Sequence, residues 1–353
     1  MSRRKHRLAV AALLAGGILF GLASAEALLR VRGVLYTYVA PHPDPALHYV
    51  LQPGLRGRVA GIPIEHNSRG LRDREYPDTP APDTMRILVL GDSITYSRLS
   101  PAAVTFVKRL ESTLNASSGG RRFEVLNAGV SGYTSCQEEA FFKNVASAYH
   151  PHIVIWQYCL NDVEDPSDPF GGGREGYVPL PDSWKKGLRD HVVLWSFFRV
   201  QSYELLHRLG ILPKDASDLN YARSVFAYYD ERERERRDRA WECLIRGRDA
   251  IEAGSGRMVL VVFPFAMQAT GDPEYPDSPQ RDVLERCRQA GIHCLDLLPL
   301  FEREGGWELF LKPDFIHLSE RGHEVAAAAI GMEVRRFVSE SEEASASGGR
   351  PPM

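Results

Sequence analysis

Apolar residues fall into two patterns along this chain. Five short, mostly apolar runs, at 87–90, 123–126, 153–158, 257–263 and 292–297, have the length of strands buried on both faces of a sheet. Between them lie stretches with a helical period. Over 103–114, Val104, Phe106, Val107, Leu110 and Leu114 share one side. Segments 135–149, 279–290 and 319–338 also read as helices, the last with apolar positions at Val325, Ala328, Ile330, Met332, Val334 and Phe337. Strands alternating with helices predict βαβ units. The expected fold class is therefore α/β, a parallel five-stranded sheet with helices on both faces.

Several segments stand outside this alternation. Arg3, Arg4, Lys5 and Arg7 precede an uncharged, mostly apolar run from Leu8 to Ala25, which continues to Leu29 with only Glu26 interrupting. The run is long enough to span a bilayer, and residues 1–32 are read as a membrane anchor. Ala23-Ser24-Ala25 also fits a signal-peptide cleavage site, so export with removal of the segment is the alternative. Either way the basic end stays inside and the rest of the chain lies outside the cytoplasmic membrane. Residues 33–84, rich in Pro, Gly and polar turns, read as a lead-in that packs on the core, with a linker at 77–82. The main domain is 85–339, interrupted by an insertion at 163–255. The insertion opens with a Gly- and Pro-rich loop at 164–181, carries Trp184, Trp195, Phe197, Phe198 and Tyr203, and ends in one long helix over 218–253. Residues 340–353 read as a disordered tail.

Charge and cysteine content narrow the function. A net charge of −3 gives no nucleic-acid-binding surface. Five cysteines, at 136, 159, 243, 287 and 294, are too few and too scattered for a disulfide framework, and without a CxxC pair a zinc site is not expected. Cys287 and Cys294 flank a helix-to-strand turn and are placed to bridge in an oxidising compartment, although buried thiols are the preferred reading.

The candidate chemistry sits at strand ends. Gly91-Asp92-Ser93 follows the first core strand, where a serine hydroxyl lies beside the amides opening the next helix. Asp314 and His317, three apart before the last helix, can pair so that one ring nitrogen meets the carboxylate and the other faces outward. Gly132 follows the second strand and can bring a backbone N–H close to a ligand. Asn161 follows the third and can donate from its amide. Each residue alone has a plainer role: Ser93 as an N-cap, His317 as a surface or capping histidine, Gly132 as a turn, Asn161 as a helix cap. Carboxyl ends of parallel strands, however, converge on one crevice.

The order of these motifs resembles the SGNH hydrolases, also called the GDSL esterase/lipase family. The resemblance covers residues 85–338 with the insertion outside it. It implies a flavodoxin-like three-layer α/β/α sandwich. It also implies Ser93 as nucleophile, His317 as general base and Asp314 as its orienting partner. The oxyanion hole would comprise the Ser93 N–H, the Gly132 N–H and the Asn161 side chain. No metal or organic cofactor is implied. Gly129 is an alternative to Gly132, which the Gly-Tyr-Thr-Ser context favours. One departure is Cys159, where the family usually has glycine; a side chain there would narrow the pocket or shift Asn161. Asn67-Ser68-Arg69-Gly70-Leu71-Arg72 resembles an Asn-Ser-x-Gly-x-Arg loop of members with an N-terminal membrane segment. Such members include esterases and enzymes that move acetyl groups on envelope polysaccharides. The expected activity is hydrolysis of a small-molecule or polysaccharide ester. Acetyl transfer to a polysaccharide ranks second, and binding without catalysis third.

Overall fold

The computed structural model describes residues 3–35, 37–59, 61–116, 120–164, 184, 187–188, 191–195, 197–198, 216–312 and 314–346. An N-terminal helix, α1 (Arg3–Val31), leads into two antiparallel hairpins, β1 (Val39–Pro41) with β2 (Tyr49–Leu51) and β3 (Arg56–Val59) with β4 (Ile62–Glu65). The core follows as β5 (Thr84–Gly91), α2 (Ser93–Tyr96), α3 (Phe106–Ala116), β6 (Arg122–Gly129), α4 (Ser135–Asn144) and β7 (Ile153–Cys159). It continues with α5 (Ala216–Ala227), α6 (Arg234–Ala253), β8 (Arg257–Phe263), α7 (Ala266–Ala269), α8 (Ser278–Ala290), β9 (His293–Asp296), α9 (Leu298–Glu304) and α10 (Glu320–Ala346).

Strands β5 to β9 form one parallel sheet in the order β6-β5-β7-β8-β9. This is the flavodoxin-like order, in which the chain direction across the sheet reverses at β5. Ile87 to Leu90 are all fully buried, as a strand covered on both faces requires. The covering layers follow from the register. Trp156 pairs with Leu260 and meets α6, whereas Phe263, three residues beyond Leu260, points the other way and meets Phe106 of α3. Helices α4 and α6 therefore cover one face, and α3 with α10 the other. A Cβ on Gly247 would fall 2.3 Å from the Trp156 ring, so glycine is what lets α6 seat there.

Three elements differ from the sequence reading. The stretch 218–253 is two helices, not one. Between them Arg237 donates to the carbonyls of Tyr228 and Asp230, and the Tyr229 hydroxyl meets Tyr158, so tertiary contacts satisfy a break that periodicity does not reveal. The 135–149 helix stops at Asn144 and resumes as a 3-10 turn at Ala146–Tyr149, because Val145 leaves helical geometry at φ −129°. At the C-terminus α10 runs to Ala346, into the segment read as a tail from 340; Glu and Ala favour helix there, and no glycine occurs until Gly348. Most of the 164–181 loop, and Tyr203, lie outside the described residues.

One cysteine pair is not foreseen in the sequence, while the preferred reading of Cys287 and Cys294 as thiols holds. Cys136 on α4 and Cys243 on α6 form a disulfide, while Cys287 and Cys294 are free thiols. The helices carrying Cys136 and Cys243 pack side by side, bringing their Cα atoms to 4.9 Å across 107 residues of sequence. That proximity exists only in the fold.

The lead-in is sewn into the core. Leu47, Leu51, Ile64 and Leu71 are buried in the same cluster as the sheet. His66, buried among them, bonds the Tyr96 hydroxyl at 2.9 Å. Burial, and then the nearby Arg72 charge, hold its imidazole down at about 4, despite a hydrogen bond to the Gln52 carbonyl. His323, 1% exposed, is lowered to about 3 by burial and by the charges of Arg109, His317 and Arg72. Both are neutral in the fold while the unfolded chain takes up protons. Their contribution is thus complete above the ordinary histidine value of about 6.5 and declines as pH falls, down to about 4 for His66 and about 3 for His323. Thermal melts of His66→Gln, which has no ring to protonate on unfolding, should show its Tm gaining on that of the native chain as pH falls from 7 to 5; a difference independent of pH would contradict neutral burial of the ring.

Candidate active site

The site starts where β5 runs out. Gly91 cannot carry a side chain, since a Cβ would lie 2.4 Å from Gln157 Oε1 and 2.5 Å from Thr95 Oγ1. Asp92, completely buried, caps the short helix α2: its Oδ1 accepts from the Ile94 N–H at 2.8 Å. Ser93 is the first residue of that helix and is partly exposed. The helix ends at Ser97 in a left-handed conformation, φ 52°. There the buried Arg72 guanidinium gathers the carbonyls of Tyr96, Ser97 and Ser100, at 2.6, 2.5 and 2.8 Å. The lead-in thus braces the turn that presents Ser93.

From the far end of the chain, the loop before α10 brings His317 to Ser93. His317 Nε2 lies 2.9 Å from Ser93 Oγ, and Nδ1 lies 2.6 Å from Asp314 Oδ2. Asp314 Oδ1 accepts from the N–H groups of Ile316 and His317, at 2.8 and 2.9 Å. Burial alone would raise the Asp314 carboxyl, but the His317 ring and these two amides outweigh it and hold it at about 2. Asp314 is therefore a carboxylate near neutral pH. It fixes the proton on Nδ1 and leaves Nε2 to accept.

Gly132 lies at the mouth of the loop after β6, exposed, with φ +79°. Gly129 serves packing instead: a Cβ there would sit 2.4 Å from the Tyr96 N. Asn127 joins these parts, donating to the Thr95 carbonyl at 2.8 Å and accepting from the Gly129 N–H at 3.1 Å. Asn161 sits in the 3-10 turn directly after β7, the strand beside β5, and is partly exposed. Burial raises the neighbouring Asp92 carboxyl, and the Asn161 amide is among the groups that pull it back, although Asp92 Oδ2 has no hydrogen bond within ordinary limits. Cys159 is fully buried, so its thiol does not line the exposed side of the site. Burial and the nearby Asp92 and Asp162 push that thiol well above its usual range. All five sequence-predicted residues thus lie just beyond the carboxyl ends of β5, β6 and β7 or just before α10. Hydrogen bonds connect Ser93, His317 and Asp314 directly.

A layer beneath the site is not evident from sequence. Gln157 Oε1 accepts from the Asp92 N–H and the Thr95 hydroxyl, at 3.1 and 2.9 Å. Glu138 and Asp162 are completely buried and bind the Trp156 indole N–H and the Cys159 N–H respectively. Burial, and then repulsion within the set that includes Asp92, raise both carboxyls well above the usual range. The only sequence signal for this layer is Gln157, a polar residue inside an apolar run. Among the described residues no cluster of His, Cys, Asp and Glu is arranged to hold a metal.

The sheet order and this hydroxyl–imidazole–carboxylate line define the class, an α/β/α sandwich hydrolase with its site at the topological switch point. The chain belongs to the GDSL-like lipase/acylhydrolase family, the SGNH hydrolases, whose model matches residues 89–325, and it is a hydrolase acting on ester bonds. Solved structures similar to it include TesA, at 15% identity and a TM-score of 0.42, covering 70% of this chain and 96% of that one. A catalytic mutant of Axe2, an acetylxylan esterase from Geobacillus stearothermophilus, shows 16% identity and a TM-score of 0.44 over 71% and 94% of the two chains. The lipase/acylhydrolase from Enterococcus faecalis shows 16% and 0.42 over 72% and 96%. No curated protein matches the chain.

Proposed function

We propose that the protein is a serine esterase or deacylase that works through an acyl-serine intermediate outside the cytoplasm. The observation carrying this reading is the unbroken line Ser93 Oγ, His317 Nε2, His317 Nδ1, Asp314 Oδ2, with separations of 2.9 and 2.6 Å at its two hydrogen bonds. In this mechanism His317 Nε2 takes the Ser93 proton as Oγ attacks the ester carbonyl. The N–H groups of Ser93 and Gly132 and the Asn161 side chain stabilise the oxyanion. The intermediate collapses as His317 returns the proton to the departing alcohol. Water then attacks the acyl-serine, with His317 as base again. Asp314 stays ionised throughout and stabilises the imidazolium. The extracytoplasmic location is supported by the apolar α1 and by the Cys136–Cys243 disulfide, which suits an oxidising compartment.

The test is a product assay on an aryl acetate and on an acetylated polysaccharide, with and without a sugar acceptor. Release of free acid irrespective of acceptor is the expected result. Acetylated acceptor in place of free acid would make the protein an O-acetyltransferase. Within the same reading, Asn161→Ala should lower kcat by roughly 100- to 1,000-fold, the usual effect of losing one oxyanion donor. Stopped-assay rates on the aryl ester measure it, and a loss below threefold would remove Asn161 from that role.

A further inference from the structure

We propose that residues 191–195 of the insertion, with Phe197 and Phe198, form a second membrane contact, which seats the hydrolase domain against the bilayer surface instead of leaving it on a free tether. The inference rests on α1 being a retained anchor. Lys5–Val31 is apolar enough to span, and no residue of its most apolar window is buried against the protein. A hydrocarbon core of about 30 Å takes roughly 20 helical residues, so a span beginning at Leu8 emerges near Ala27. Glu26 and Arg30 consequently lie at the outer interface.

Those two residues bind the insertion. Glu26 Oε1 and Oε2 accept from the N–H groups of Val193 and Leu194, at 3.1 and 2.7 Å. Arg30 donates to the His191 carbonyl at 2.7 Å and to Glu26 at 2.7 Å. The pairing neutralises the one carboxylate in the anchor and caps the first N–H groups of a helical stretch. It also fixes 191–194 at the depth where α1 leaves the membrane. Phe197 and Phe198 follow closely in the chain. Their rings meet edge to face, yet they are 40% and 56% exposed. Outside α1, the described residues include four exposed large hydrophobics: Trp184, Phe197, Phe198 and Met332. Three of the four belong to the insertion. Aromatic side chains anchored at that depth face the headgroup boundary, where rings of this kind are stabilised. The continuity of this patch with the exit of α1 is what selects a bilayer, not another protein, as its occupant.

The test uses the full-length chain in phosphatidylcholine vesicles containing lipid brominated near the headgroup. F198W, added to a W184F/W195F background, places an indole in the patch, and subtracting the emission of that background isolates its signal. M332W in the same background is the control, since Met332 is as exposed (65%) but sits on α10. Turnover of an aryl ester confirms that each variant is folded. The proposal expects F198W emission to be quenched by roughly twofold and M332W emission to be unaffected, in protein that floats with the vesicles. Floating protein whose F198W emission resembles that of M332W would overturn the membrane contact and leave the anchor intact. Protein that does not float would overturn the anchor and the contact together, while leaving the esterase reading untouched.

Discussion

Ser93→Ala should lower kcat on a short-chain aryl ester by roughly a millionfold, down to the residual rate that binding and oxyanion donors alone support. The size of the effect follows from the site. In the proposed mechanism Ser93 contributes the hydroxyl oxygen that attacks the carbonyl carbon, and among the described residues it is the hydroxyl hydrogen-bonded to His317. Fold should be unaffected, because Ser93 Oγ has His317 as its partner while the backbone of α2 is held independently by Asp92, Asn127 and Arg72. Initial-rate assays, with circular dichroism as the fold check, measure both. A kcat within tenfold of the native value would mean that the chemistry lies elsewhere.

His317→Ala should cost a similar factor, and Ser93→Ala/His317→Ala together should cost little more than either alone. In the proposed mechanism Ser93 and His317 act as one unit: without Nε2 the hydroxyl keeps its proton, and without the hydroxyl there is no proton to move. The loop survives the change. The Leu311 N–H donates to the His317 carbonyl at 2.8 Å, and Phe310 bridges to Leu318, so backbone bonds hold it. Asp314 also keeps its two amide donors, one of them the backbone N–H of residue 317. Additive losses in the double variant, measured by the same kinetics, would contradict a shared proton transfer.

The parts of this molecule legible in the sequence are those fixed by local pattern. The runs around Ile87, Val125, Ile155 and Val261 mark strands because both faces of each are covered, and the motifs at their ends mark the rim. Their bounds shift where polar residues are buried with partners. The strand at Ile87 starts earlier, at Thr84, because Arg86 hides its charge against Glu124 at 2.7 Å and on three backbone carbonyls. Contacts between remote segments leave little local trace. The Cys136–Cys243 bridge, the break before α6 and the Arg72 brace depend on pairs of surfaces that meet only after folding. Arg72 is the instructive case: its loop motif is visible in the sequence, but its task of holding the carbonyls behind Ser93 requires the fold.

The central claim is that Ser93 becomes acylated. Its most direct test is to quench the enzyme during turnover of a slow-deacylating aryl ester and to map the acyl group by peptide mass spectrometry. The account predicts one acyl group on the peptide containing Ser93, absent in His317→Ala. Turnover with no trapped acyl group on that peptide, or with the group on a different residue, would contradict it.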